Sequence, residues 1–587
     1  MKKYERVAMP ALYLATACAC LVVASAIAGS IRYLRPGPGF DFWGAGMPFL
    51  NAAIEGPWSW AMLWEMSAGA HRLVVPRILF WIEWWVGDFQ NYLLLAFAWS
   101  ALAGSALLVL RIVWQDRCLD QHSRWLCLVL VLLGFGSAQH MNNLAYAFNM
   151  QWTFGLLFSL LFIAGVIRAK ISEGSGVRLL SILQVFLSAF ILTFTTFSLP
   201  ILLFVWVFMA WGLRIRWFFS VPVSAAIVFF SFEYVSYLPI INDIKVIYSD
   251  GNPQSRYISF LEIAAYLSYF TLRYLGSPAY EVFQNLEVVL SFIVLIFLTR
   301  LCWSARISKD RLLESRPLFW LILGFSVFVF FMAIATGVGR LTDPGAAVSP
   351  RFRTFSMPFL TLSSIAVVCF IQGWNVVRRS VASFLLIVVF AGVVLPGHFR
   401  LLYMFSDEYD SYVTPVIAMA VGLSDKNVVH EARIGLWWGD DNVRMMKYRE
   451  LLYSHRKGIY ASPYFGQLGN SIEFSGNILA AVPESHAVKA LPGGGFQWDG
   501  VTGRCGGDGR VALVNQEGVI VGAGRVSRAL PDAGWKSIYR VFLPLCHGGE
   551  AVSWRAFLPA TVKSGETFIA VTVDNDGEAF VASTVVP

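Results

Sequence analysis

The chain has 587 residues, 57% of them hydrophobic and 14% charged, with a mean hydropathy of +0.61. These values exclude an ordinary soluble globular domain, in which about 45–50% of residues are apolar and about 25% charged. The net charge of +8 and the pI of about 9.0 call for no nucleic-acid partner, because the basic residues gather in short connections between apolar runs and suit anionic lipid headgroups.

A hydrocarbon core about 30 Å thick needs about 20 mostly apolar residues per spanning helix. Eleven spans are predicted, at residues 9–31, 91–113, 125–138, 151–167, 179–197, 199–213, 217–239, 284–301, 317–337, 355–375 and 381–396. The first resembles a signal peptide, with a basic start and small residues such as Ala24-Ser25-Ala26. Its apolar run is longer than a usual signal core, and its removal would invert the charge of every later loop, so it is read as an uncleaved helix. Lys2, Lys3 and Arg6 precede it. Every second connection is then basic and compact: Arg111, Arg117 and Arg124; Arg168, Lys170 and Arg178; Arg214 and Arg216; Arg300 to Arg316; Arg378 and Arg379. The positive-inside rule puts these in the cytoplasm and puts the chain after Gly397 outside.

Residues 32–90 form the longest connection of the membrane region, 1–397. Asp41 follows the first span closely, in the Gly/Pro-rich stretch "RPGPGFDFWGAG" beside Phe42 and Trp43. Glu55, Glu65, His71, Arg72 and six tryptophans come next. The rings suit an interfacial belt. A carboxylate at the membrane face, in a loop lying along the interface as short helices, is a candidate general base, and Asp41 is preferred over Glu55 and Glu65. Between spans three and four, "SAQHMNNLAYAFNMQW" carries His140, Asn142, Asn143, Asn149 and Gln151, with Tyr146 and Trp152. Amides and rings of this kind bind a sugar or cap helix ends. Between spans nine and ten, Arg340, Arg351 and Arg353 lie outside against the charge rule. They suit lipid headgroups or a phosphate delivered from the bilayer, with His71 and Arg72 as further donors.

After Gly397 the text is first mixed and partly helical, over 398–470, then changes at 471–587 to short alternating strands such as "RVALVNQ" and "TFIAVTVDN". Their spacing predicts an antiparallel β-sandwich, either a cover for the membrane part or a sugar-binding module. Cys505 and Cys546 are the only cysteines in this region and are expected to form a disulfide in an oxidising compartment. Cys18, Cys20, Cys127, Cys302 and Cys369 lie in or beside spans, Cys118 lies in a cytoplasmic loop, and no Cys/His spacing matches a zinc site.

An inside amino terminus, about eleven spans, a large first outer loop with an acid soon after span one, outer arginines before a later span and an outer carboxy-terminal domain together resemble the GT-C superfamily. These are membrane glycosyltransferases that use polyprenyl-phosphate sugars, and the layout is similar to phage-type O-antigen glucosyltransferases and to pilin or cell-wall glycosyltransferases. Many members carry paired acids in loop one, whereas here Asp41 is followed by Phe42, which leaves Glu55 or Glu65 as substitutes. The resemblance implies a polytopic α-helical protein of a bacterial inner membrane. It also implies Asp41 as base, a lipid phosphate held by arginine with or without a divalent cation (Mg or Mn), and sugar contacts from Trp43 and the 140–151 cluster. Its partners are the lipid bilayer, a polyprenyl-phosphate sugar donor and a glycan or glycoprotein acceptor such as O-antigen lipopolysaccharide. A glycan polymerase or ligase would place its large loop later in the chain. A flippase would carry mid-membrane charges and internal repeats, and Glu233 is the one clear acid near a span interior.

Overall fold

The computed structural model describes residues 2–35, 37–38, 41–65, 73–172, 175–193, 199–213, 260–282, 285–307, 316–338, 340, 344–423, 441–461, 468, 479–480, 487–492, 494–502, 510–527, 552–563, 565–573 and 579–585. Helices α1 (Lys2–Arg32), α2 (Asp41–Glu55), α3 (Ala61–Trp64), α4 (Val74–Val86), α5 (Tyr92–Gln115), α6 (Gln121–Gly136), α7 (Met141–Ala145) and α8 (Met150–Ile171) come first. They are followed by α9 (Ser175–Thr193), α10 (Leu199–Gly212), α11 (Phe260–Leu275), α12 (Leu286–Ile307), α13 (Pro317–Val338), α14 (Arg353–Ile371), α15 (Val376–Ala420) and α16 (Asp441–Ser454). Among the described residues, eight helical stretches are long and apolar enough to cross a bilayer: 9–32, 92–115, 121–145, 150–171, 176–193, 317–338, 350–371 and 376–405. The chain is a multi-pass membrane protein. The expected span 199–213 falls on the shorter α10, span 284–301 falls on α12, and span 217–239 lies outside the described residues.

The helices are apolar on all sides, and their outward faces stay bare. Leu21, Leu180 and Phe384 are 70%, 67% and 66% exposed. In water this would be an apolar surface far beyond the few hundred Å² a soluble monomer shows; in lipid it is the solvent-facing side. Two helix starts carry side-chain caps. Asp120 accepts the Ser123 amide at 2.9 Å at the head of α6, and Asn375 accepts the Arg378 amide at 3.0 Å at the head of α15.

Two ends of the bundle are distinct. At the near end, where α1 begins, the basic connections tie together: Arg316 to Asp116 at 3.0 Å, Arg379 to Asp120 at 2.7 Å, and Gln372 to Ser123 at 2.7 Å. At the far end, where α1 finishes, the long first connection folds as α2, α3 and α4. Fully buried Glu83 caps α5 there, accepting the Asn91 amide at 2.6 Å and the Leu94 amide at 3.2 Å. Arg77, also buried, gathers the carbonyls of Met62, Leu63 and Glu65 at 2.7, 3.0 and 2.6 Å, which locks α3 onto α4. Among its described residues the first connection thus contains short helices, as its sequence predicts. Helix α11 also lies across this end, since its Tyr266 hydroxyl reaches the Arg340 carbonyl and its Tyr274 ring sits 5.3 Å from that of Phe352.

Helix α15 is 45 residues long, about 68 Å, twice what a bilayer core requires. It runs straight through Pro396 and Gly397, where the sequence reading ends the membrane region. Beyond that point Leu401, Leu402 and Phe405 pack with Ala138, Met141 and Tyr146, so packing overrides the two helix breakers. Eight strands follow: β1 (Leu479–Ala480), β2 (Ala487–Ala490), β3 (Phe496–Thr502), β4 (Arg510–Asn515), β5 (Ile520–Ser527), β6 (Val552–Leu558), β7 (Thr567–Val573) and β8 (Ala579–Val585). They form one continuous sheet in the order β1-β8-β7-β4-β5-β6-β3-β2, antiparallel except for β1 with β8. The expected sandwich is therefore, among the described residues, a single sheet. Both of its faces are apolar. Val511, Leu513, Trp498 and Trp554 cluster on one. On the other, Ala523 and Phe557 join the main core with Leu423 and Tyr448 of the helical part. The Arg525 guanidinium lies 4.5 Å from the Tyr409 ring of α15, across the same seam.

Candidate functional site

The far end of the bundle collects most of the polar groups that the sequence singles out. Arg353 opens α14 and is 1% exposed. Its Nη1 donates to Gln139 Oε1 at 2.9 Å and its Nη2 to Glu281 Oε1 at 2.5 Å. The other oxygen of Glu281, a residue 4% exposed, pairs with Arg400 of α15, whose side chain is 56% exposed. One buried carboxylate therefore carries two guanidiniums, and the cluster keeps a net positive charge. Gly397 permits this arrangement, because a Cβ there would overlap the Gln139 amide.

Beside it runs a chain of hydrogen bonds. Asn143 Nδ2 donates to the Arg351 carbonyl at 2.6 Å and to Thr354 Oγ1 at 2.6 Å. Thr354 Oγ1 lies 3.4 Å from His140 Nδ1, and His140 Nε2 lies 2.9 Å from the Gly134 carbonyl. Since a carbonyl only accepts, His140 carries its proton on Nε2, and Nδ1 accepts from the threonine. His398 is fixed by the same logic. The Ala138 amide donates to its Nδ1 at 2.9 Å, which leaves Nε2–H to face Ser25 Oγ at 3.0 Å. Both rings are fully buried. Ser277 and Ser356 meet at 2.8 Å in the same layer.

Loop one reaches this layer through aromatic packing. Asp41 is the first residue of α2; the side chains of Asp41 and Trp43 lie outside the described set. Phe42, next to Asp41, is buried against Phe80, Phe89 and Phe148 at 4.3, 5.2 and 6.1 Å. Phe148 adjoins Asn149, whose Nδ2 donates to Asn142 Oδ1 at 3.0 Å. The Arg35 guanidinium stacks 3.9 Å from the Tyr146 ring. The structure thus brings the start of α2, residues 138–149 and residues 351–353 to one place.

Other sequence candidates fall elsewhere. Glu55 and Glu65 are exposed; Glu55 faces His455 at 3.4 Å, and the Glu65 carbonyl binds Arg77. Arg340 is exposed at the rim beside α11. Gln151 is half-buried in the first turn of α8. Arg351 is half-buried, 5.0 Å from the Phe352 ring. His71, Arg72, Glu233, Cys505 and Cys546 lie outside the described residues. Sequence reasoning missed Glu281, Arg400, His398 and Gln139. A signal existed for the first two: Arg400 is another arginine beyond a span, and an outward arginine cluster needs a carboxylate to sit beside it.

Among the described residues no group of three or more His, Cys, Asp and Glu side chains is arranged to hold a metal ion. The chain was compared with protein-family models, curated proteins and solved structures, and none matches.

Proposed function

We propose that this membrane protein transfers a sugar from a polyprenyl-phosphate-linked donor to an acceptor glycan or glycoprotein at the outer face of a bacterial cytoplasmic membrane. The observation that carries the reading is that loop one packs through Phe42 on Phe148 of the amide-rich 138–149 stretch, which bonds the arginine-rich 351–353 stretch beside a doubly paired Glu281 at one end of the bundle. A lipid-borne sugar phosphate needs a site at bilayer depth that combines net positive charge, neutral amides and a nearby carboxylate.

In the reaction Asp41 takes the proton of an acceptor hydroxyl. The resulting oxygen attacks the anomeric carbon, the bond from that carbon to the phosphate oxygen breaks, and the lipid phosphate leaves with the electron pair. Configuration inverts in the single displacement. One carboxylate suffices, because phosphate leaves without the protonation that glycoside hydrolysis requires. The positive cluster steadies the departing charge.

The test is transfer by protein in lipid nanodiscs from purified polyprenyl-phosphate hexoses and pentoses. Asp41→Asn keeps the shape of the side chain and removes the base, so the rate should fall by about 10²–10⁴-fold with protein level intact. Near-normal transfer by the variant would move the assignment to Glu55 or Glu65. Absence of transfer from every donor, with lipid translocation present, would replace the reading by a flippase.

A further inference from the structure

At the seam between the helical part and the sheet lies a groove of about 370 Å³, at the small end of the ~300–1,000 Å³ typical of ligand sites. Helix α16 supplies Arg449 and Tyr453, four residues apart and so on one face. The end of β4 supplies Asn515, and the connection between β6 and β7 supplies Thr561 and Glu566, over a floor that includes Phe568.

The chemistry of these groups is uneven in a useful way. The Arg449 side chain is 21% exposed, and its guanidinium, which also interacts with the Tyr460 hydroxyl, is only partly committed. Nη2 reaches the Ala420 carbonyl only at 3.4 Å, Nη1 is 3.9 Å from Glu450, and Nε has no hydrogen-bond partner among the described residues. A half-buried cation with unspent donors is costly unless an anionic oxygen meets it. Asn515 Oδ1 already accepts the Glu517 and Val519 amides, at 3.1 and 2.9 Å, so the group it can offer a ligand is the Nδ2 donor pair. The Thr561 hydroxyl is exposed. Tyr453 presents a ring 43% exposed, held at 5.3 Å against Tyr460, and the Arg449 guanidinium stands 6.0 Å from it. An aromatic face beside several donors and one guanidinium with an unpartnered Nε matches the apolar C–H face, hydroxyls and negative substituent of an acidic sugar.

We propose that this groove binds a saccharide unit carrying an anionic group, either a uronic acid carboxylate or a sugar phosphate. As a saccharide site it stands alone; as the place where the acceptor glycan is held, it rests on the transfer reaction proposed above. Full-length protein in labelled nanodiscs is applied to a glycan array with neutral, uronic-acid-bearing and phosphorylated oligosaccharides, against empty nanodiscs. Acidic glycans should bind saturably and at least about tenfold better than their neutral counterparts, and the two acidic arms identify which anion is taken. Arg449→Gln and Tyr453→Ala should each weaken that binding by about tenfold or more. If Arg449→Gln is recovered unfolded, Tyr453→Ala decides, since its ring is largely outside the core. The proposal is overturned if no acidic glycan exceeds its neutral counterpart, or if the folded variants bind as the native protein does. Sugar transfer to a simple soluble acceptor, measured alongside, separates the two readings: intact transfer without array binding removes the groove alone, and array binding without transfer removes the reaction alone.

Discussion

Replacing Glu281 by alanine would leave Arg353 charged, enclosed and without its counter-ion. The Arg353 and Glu281 side chains are 1% and 4% exposed, so neither water nor lipid headgroups can take over the lost interaction. Breaking a buried pair from one side typically costs about 3–5 kcal/mol. The value should fall toward the lower end, because Gln139 still accepts one guanidinium nitrogen at 2.9 Å. Arg400 shares the same carboxylate but is 56% exposed, where an ion pair is worth about 0–1 kcal/mol. The asymmetry is the prediction. Full-length protein in nanodiscs is heated in steps, and the folded fraction is read by size-exclusion chromatography; apparent midpoints are compared, because a chain with a helical part and a sheet need not unfold in two states. Glu281→Ala should lower the midpoint by several degrees, and Arg400→Ala should leave it nearly unchanged. The double variant Glu281→Ala/Arg353→Met, which removes the stranded charge, should recover much of the loss. Equal losses for Glu281→Ala and Arg400→Ala, or a double variant worse than either single change, would refute the reasoning.

Gly397→Val would push a side chain into the Gln139 amide and cost about 1–3 kcal/mol, whereas Gly392→Val, with nothing near its Cβ, should be tolerated; equal behaviour in the same heating assay would contradict this packing. Burial raises the Glu83 carboxyl above its usual 4.5, against the smaller lowering by the Asn91, Leu94 and Leu93 amides. The folded state therefore holds that proton more tightly than the unfolded chain, and the group's contribution to stability declines as pH climbs from 4.5 to the raised value. The lead of the native protein over Glu83→Gln in apparent midpoint should narrow as pH rises from 4.5, and a widening lead would show the opposite sign. In a cysteine-free background, Trp60→Cys and Gly373→Cys stand at opposite ends of the bundle, so an impermeant maleimide should label the first in intact cells and the second only after permeabilisation; labelling of both alike would break the alternation.

Much of the helical part was legible because length and apolarity alone define a spanning helix. The near end was legible from charge, and Asp116–Arg316 and Asp120–Arg379 show its basic connections converging. The continuity of α15 was not legible. Pro396 and Gly397 are local signals against helix, while Leu401, Leu402 and Phe405, which hold the helix together beyond them, act through partners more than 250 residues away in the chain. The sheet was half legible. Alternation located strands, but Val511 and Leu513 on one face and Ala512 and Val514 on the other are all apolar. Such a pattern does not say whether the second face meets another sheet or, as here, the helices.

For the site, the sequence drew attention to Arg351 and Arg353 because they break the charge rule, and it read both as phosphate ligands. The geometry divides them. Each Nη of Arg353 already makes one bond, to Gln139 and to Glu281, and the side chain is 1% exposed, so the guanidinium is directed into the fold and away from an arriving phosphate. Under the proposed transfer, Arg353 is a support. It holds Glu281 in place, Glu281 holds Arg400, and Arg400 is the member of the set that remains largely open to an arriving anion. Sequence reasoning finds an uncompensated charge; only packing tells whether that charge is spent inward on the fold or outward on a ligand.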